Sequence, residues 1–452
     1  MERELEVWID LAGTPVRVGR LFVRAKANRE TSSFAYDPSW LKHPARFALG
    51  PSLMLAEGQF HSDRPLFQAF TDAAPDSWGQ RLLRKHERND AKTNRRTPRT
   101  ILQADYMLGV SDETRMGALR FKEVGGTHFL SAGAEEVPPL IEIGRLLNAA
   151  ARFDKGSETP QDLALVLAPG TSLGGARPKA TVRDKDGALL MAKFPKAGDD
   201  WPVILWEAAT LDLAAKAGID VASGRLEKVA RKPVLLLRRF DRAGVARVPF
   251  LSAMTALDAQ DHENRQRSYL EIADFIRVEG AATPADLAQL WRRMMFNVLV
   301  SNTDDHLRNH GFLRAEKGWR LAPAYDMNPT PTDVKPRIHA LALDETDPTA
   351  AAETLLAIAP RFGLTSAAAR EIAAEVGASV SGWASVAKAV GLKAGDIKRM
   401  ESAFEHEDAT TVRKLAKRSG SVDQPTRRPA STRKATRAPA QPTAPRRRPR
   451  KT

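Results

Sequence analysis

The segment Asn302-Thr303-Asp304-Asp305-His306-Leu307-Arg308-Asn309 carries the strongest chemical reading in the chain. It follows a predicted helix whose last turns are Met295, Phe296, Leu299 and Val300. An acid followed five residues later by Asn is the spacing of a kinase catalytic loop. There the acid orients or deprotonates a hydroxyl nucleophile and the amide oxygen holds magnesium. By this spacing Asp304 is the base, Asn309 the metal ligand, and Asp305 neither. Alone, the segment is ordinary loop and capping chemistry. Its weight comes from a second acid, Asp326, which follows a predicted hairpin formed by Gly311-Phe312-Leu313-Arg314 and Trp319-Arg320-Leu321. That is the place of the carboxylate that bridges magnesium to the nucleotide phosphates. Magnesium takes few protein ligands and prefers hard oxygens, so one carboxylate and one amide oxygen form a sufficient set.

Upstream, Lys193 ends a predicted strand with Leu189 and Met191 on its own face, where an ammonium is costly without an anion. Glu207 lies on the next predicted helix beside the apolar stripe Ile204, Ala208 and Leu211, so it can point back at the sheet. A strand Lys paired with a helix Glu is how kinases position ATP phosphates. Taken singly, each is ordinarily a solvated surface charge. Before this strand, Ser172-Leu173-Gly174-Gly175-Ala176-Arg177-Pro178-Lys179 offers glycines that let backbone N–H groups approach phosphate. It matches neither of the common Gly-rich phosphate motifs, and by itself reads as a structural turn.

The elements that must position these residues follow from pattern. Leu5, Val7 and Ile9, then a turn at Gly13-Thr14-Pro15, then Val16, Val18 and Leu21 predict a hairpin opening a β-containing domain. Asp76, after Pro75, caps a helix running through Leu82 and Leu83, and the basic stretch Arg81 to Arg99 is expected to be exposed. From about Leu140 two helices precede the Gly loop. A hairpin around Asp186-Gly187, a helix from Trp201 stopped by Gly218, and two more strands near Val229 and Val234 then make a small α+β lobe. After Leu251 the chain reads mostly as helices to about Phe404. The predicted fold is α+β and two-lobed. It has an N-terminal domain over 1–125, an ATP-binding lobe over 140–255, an all-helical catalytic lobe over 256–405 and a disordered tail over 406–452.

Composition bounds the rest. The 452 residues are 42% hydrophobic, enough for real cores, and contain no cysteine, which excludes disulfides and thiolate metal sites. No signal peptide or long apolar run is present, so a cytoplasmic protein with no membrane contact is expected. The net charge is +14, but Thr411 to Thr452 holds 14 Lys and Arg against Asp423 alone. The body is therefore nearly neutral and the tail holds the excess. Such a tail either contacts nucleic acid weakly through phosphates or merely solubilises the chain.

Taken together, these segments resemble the HipA-like family of toxin serine/threonine protein kinases of type II toxin–antitoxin systems, over most of residues 1–405. The resemblance rests on Ser172 to Lys179, Lys193-Phe194-Pro195, Glu207, Arg239-Phe240-Asp241-Arg242, Thr303 to Asn309 and Tyr325-Asp326. Pro75-Asp76-Ser77-Trp78 and Met116-Gly117-Ala118-Leu119 resemble its N-terminal signatures. It implies an ATP- and Mg2+-dependent kinase with Asp304 as catalytic base, Asn309 and Asp326 on the metal, and phosphates bound by Lys193 and the loop Gly174, Gly175, Ala176, Arg177, Pro178 and Lys179. The backbone of Arg238 and Phe240 would recognise adenine, Asp241 would lie near the ribose, and His306 and Tyr325 would line the same pocket. Ser172 corresponds to a serine whose autophosphorylation switches such kinases off, since phosphate there would repel ATP. The implied partners are a protein substrate, such as an aminoacyl-tRNA synthetase or another translation protein, and a small DNA-binding antitoxin. Two positions depart from the family pattern: Asp305 stands where Gly is usual and Arg238 where Glu is usual.

Two other readings exist. Asp304, Asp305, His306 and Asp326 could together bind metal for phosphoester hydrolysis, which leaves Lys193, Glu207 and the Gly loop unexplained. A catalytically silent, nucleic-acid-associated regulator acting through the antitoxin and the tail would predict a degenerate catalytic set, and this set is intact.

Overall fold

Period-two burial drives the first strands together in the computed structural model, which describes residues 2–26, 29–131, 137–170, 175–260 and 265–419. In β1 (Glu2–Leu11) and β2 (Thr14–Lys26), Leu5, Val7, Ile9, Val18 and Leu21 are all buried on one face. The turn falls at Ala12-Gly13, both with positive φ, so Thr14 and Pro15 belong to the strand rather than to the turn expected there. With β3 (Arg29–Tyr36), β4 (Gln59–His61) and β5 (Leu119–Glu123) they form an antiparallel sheet ordered β4-β3-β2-β1-β5. Gly19 sits where β2 meets β3 closely: a Cβ there would come within 2.3 Å of the Ala35 carbonyl.

Helix α1 (Ser77–Thr93) starts at Asp76, whose Oδ1 accepts the Gly79 N–H at 2.9 Å. It runs well past Leu83, and most of the basic stretch to Arg99 is exposed, as its composition predicts. Glu87 and Ala91 are buried, and Arg96 and Arg99 fold back onto the Glu87 carboxylate.

The second sheet is ordered β6-β7-β9-β8, from β6 (Lys179–Arg183), β7 (Leu189–Lys193), β8 (Gly224–Val229) and β9 (Lys232–Arg238). Ala180, Val182, Leu190, Ala192, Val234 and Leu236 share one core with Trp78 and with α2 (Ile143–Asp154) and α3 (Pro160–Gly170). Leu235 and Leu237 join the main core with α4 (Val203–Lys216). Lys193 pairs with Leu235 across β7 and β9, so the alternation sends its side chain toward α4.

The C-terminal lobe is built around α5 (Tyr269–Glu279) and α6 (Thr283–Leu299). It is not wholly helical, as expected from sequence, because Phe250–Ser252, Gly311–Arg314 and Trp319–Leu321 form an antiparallel three-stranded sheet. The hairpin was legible, but its third strand lies about sixty residues upstream and has only three residues to announce itself. Helix α7 (Ser366–Ser381) packs against α8 (Glu407–Ser419), which corrects the start of the expected disordered tail. Val412 and Ala409 are buried, and Asp408 pairs with Arg337 at 2.6 Å, so this basic stretch is anchored by one apolar stripe and one acid. Residues 420–452, with most of the tail, lie outside the described residues.

Candidate active site

The base of the site is the pair formed where the small sheet meets α4. The Lys193 ammonium lies 2.5 Å from Glu207 Oε1 and 3.1 Å from Asp326 Oδ1. Burial alone would lower the Lys193 pKa, but Asp326 and Glu207 outweigh it and hold it above the ordinary lysine range. Burial likewise pushes Asp326 up, and Lys193, Lys179 and His306 together hold it below the usual carboxylate range. Both groups are therefore charged at neutral pH. Asp326 has φ +59°, a left-handed conformation rare for a non-glycine residue and found where a fold holds a functional group in place.

The loop after α6 turns sharply at Ser301, φ +52°, and separates its two acids. Asp304 is exposed. Asp305 is buried and accepts hydrogen bonds from Tyr269 Oη at 2.5 Å, Asn297 Nδ2 at 2.7 Å and His310 Nε2 at 2.8 Å. Asn309 Nδ2 donates to the Asp304 carbonyl at 3.2 Å, which ties the two ends of the loop together and leaves the Asn309 amide oxygen outside that bond. Tyr325 Oη donates to the Arg308 carbonyl at 2.8 Å, and its ring stacks on Phe240 with centroids 5.5 Å apart. His306 is exposed.

Of the phosphate-loop residues, Gly175 has φ +84° and lies against the site: a Cβ there would stand 3.8 Å from Asp326 Oδ2. Ala176 is exposed, and Arg177 is held by Asp199 at 2.7 Å. The buried Pro178 passes its carbonyl to the Phe194 N–H at 2.9 Å. Ser172 and Gly174 lie outside the described residues. Arg238 is exposed, with its backbone N–H on the Ser223 carbonyl at 2.7 Å.

Two expectations change. Asp241 does not offer its carboxylate to a ribose: it is fully buried and held by Arg239, Arg242 and the Gly117 N–H. It thus pins the Met116–Leu119 signature to the end of β9, and these donors outweigh burial to keep it ionised. The four-residue metal cluster of the phosphoesterase reading does not form, because Asp305 turns inward to Tyr269, Asn297 and His310. Among the described residues no group of three or more His, Asp or Glu side chains could hold a metal.

Magnesium fits what remains. Asp326 and the amide oxygen of Asn309 are hard oxygen donors; Asn328 Nδ2 donates to Asp326 Oδ1 at 3.4 Å, and its buried Oδ1 has no partner among the described residues. Sequence reading missed Asn328, the pairing of Asp76 with Lys179 and the partners of Asp305. Only Asn328 left a local signal, an amide two residues after the metal-site acid.

A small sheet lobe beside a mostly helical one, with a Lys–Glu pair in contact with an Asp, defines a kinase-like architecture. The HipA N-terminal domain family matches residues 5–122 and the HipA-like C-terminal domain family matches residues 171–383. The chain belongs to the HipA-like family. Its fold resembles a chain from the solved structure of the Shewanella oneidensis MR-1 toxin–antitoxin system HipA, HipB and its operator DNA complex. The TM-score is 0.59 at 17% identity, covering 92% of this chain and 97% of that one. A Sinorhizobium fredii protein named "Putative kinase Y4mE" is 26% identical over 181 residues, 34% of this chain and 41% of the relative. A second from that organism, "Putative kinase Y4dM", is 29% identical over 124 residues, 27% of this chain and 29% of the relative. The chain thus matches less than half the length of either curated relative.

Proposed function

We propose that this chain is a serine/threonine protein kinase that uses ATP and Mg2+ and forms the toxin half of a toxin–antitoxin pair. The observation that carries the reading is the buried Lys193 held between Glu207 and Asp326, an arrangement a surface ion pair would not need. ATP would supply the phosphoryl group and magnesium would neutralise its charge, held by Asp326 and Asn309 with Asn328 as a further oxygen donor. Lys193 and the backbone around Gly175 orient the phosphates. The exposed Asp304 carboxylate would accept the proton of the substrate hydroxyl as that oxygen bonds to the γ-phosphorus, the bond to the bridging oxygen breaks and ADP leaves. Arg238 and Phe240 form the hinge, and the Phe240–Tyr325 stack lines the pocket with His306.

Autophosphorylation at Ser172 would switch the kinase off by placing about two negative charges beside the phosphate site. The division into a domain over 1–125, lobes over 140–255 and 256–405, and a C-terminal tail belongs to the same proposal, with the tail starting beyond α8. A small DNA-binding antitoxin as partner is supported by the fold neighbour, which was solved with HipB and operator DNA. A translation protein as substrate follows from the family resemblance. A cytoplasmic site of action belongs to the same proposal; no helix among the described residues is long and apolar enough to cross a membrane. Paired variants test the enzyme reading. Asp304→Asn should bind ATP–magnesium normally and transfer no phosphate, whereas Lys193→Met should lose both. Transfer at the wild-type rate by either variant would refute the assignment.

A further inference from the structure

We propose that Asp76 is a positioning residue for the phosphate loop, holding Lys179 across the boundary between the N-terminal domain and the lobe that carries Lys193. The proposal rests on the kinase reading above and adds a residue to it. Lys179 opens β6 directly opposite Lys193 on β7, so the two ammonium groups share one face of the sheet. Like charges in that register repel, and each therefore needs its own acid. Lys193 has Glu207 and Asp326; Lys179 has Asp76. The Lys179 side chain is 1% exposed and that of Asp76 is 7% exposed, so this is a buried pair and not a surface one.

Asp76 does two things with one carboxylate. Oδ1 caps α1 through the Gly79 N–H at 2.9 Å, and Oδ2 accepts from the Lys179 ammonium. The same ammonium donates to the Gly175 carbonyl at 2.9 Å, and Gly175 is the loop residue that lies against Asp326. A second tie runs in parallel: the indole N–H of the fully buried Trp78 donates to the Lys179 carbonyl at 3.1 Å. The first turn of α1 therefore reaches the phosphate loop through Lys179, by side chain and by backbone. An acid that fixes the geometry of a phosphate-binding backbone without touching the nucleotide is a positioning residue.

The test is calorimetric titration of the full-length chain with ATP–magnesium, beside its thermal midpoint. Asp76→Asn keeps the volume and the helix cap, because Asn caps as well as Asp, and replaces the charged acceptor facing Lys179 by an amide N–H, so only that pairing is lost. Nucleotide affinity should fall roughly tenfold or more. Asp286→Asn breaks another buried acid's pairing, with Arg320 at 3.0 Å, and should lower the thermal midpoint without moving affinity. Should Asp76→Asn fail to fold, Asp76→Asn/Lys179→Met removes both buried charges together, is expected to fold, and should show the same weakened binding. Wild-type affinity in either folded variant, or an equal loss in Asp286→Asn, would overturn the positioning role while leaving the kinase reading intact. A wild-type chain that binds no ATP–magnesium would overturn both.

Discussion

Neighbouring acids in the catalytic loop do opposite work. Asp305 satisfies three buried donors, so Asp305→Ala should cost about 3 kcal/mol in urea unfolding by leaving Tyr269, Asn297 and His310 without an acceptor. Asp304 is exposed, and Asp304→Asn should stay within about 0.5 kcal/mol of wild type in the same measurement. Equal losses would contradict the division of labour. Lys193→Met should destabilise by about 3 kcal/mol or more, since Glu207 and Asp326 would face each other with no cation between them. The i to i+5 spacing named Asp304 over Asp305 from sequence, because the spacing is local. It could not reveal the Asp305 partners, of which Tyr269 lies 36 residues upstream. The burial of Asp241, which the resemblance alone put near the ribose, was hidden for a related reason: its donors include Gly117, 124 residues away, a contact that no local pattern encodes.

Elements with a strong period were legible. The β1–β2 hairpin and α4 follow from apolar alternation and from an apolar stripe, and each forms close to where its pattern puts it. Helix α8 was not legible, because Lys, Arg and Thr dominate it and only a narrow stripe around Ala409 and Val412 is buried. Tertiary packing against α7 decides it. A chain ending at Glu405 should therefore melt about 5 °C below one ending at Ser419, through loss of Val412 packing and of the Arg337–Asp408 pair. Coincident melting curves would show that α8 adds nothing.

At the scale of the whole molecule, the buried His339 and the half-buried His406 couple stability to pH. Burial pushes the rings of His339 and His406 down to about 4, against about 6.5 in the unfolded chain. Because the unfolded state then binds more protons, stability is fully present above about pH 6.5, falls as pH drops toward 4, and levels off below. Between pH 7.5 and 5 each ring should account for about 2 kcal/mol of lost stability, and His339→Phe should flatten its share of that slope. Net charge needed locating before it meant anything, since the excess of bases sits in the last 42 residues and the body is nearly neutral. The most direct test of the central claim is incubation of freshly prepared, unphosphorylated chain with labelled ATP and magnesium, wild type beside Asp304→Asn, with the modified residue mapped by mass spectrometry. Label should appear on Ser172 in the wild type and not in the variant. Absence of label in wild-type chain that binds ATP, or label undiminished in Asp304→Asn, would contradict it.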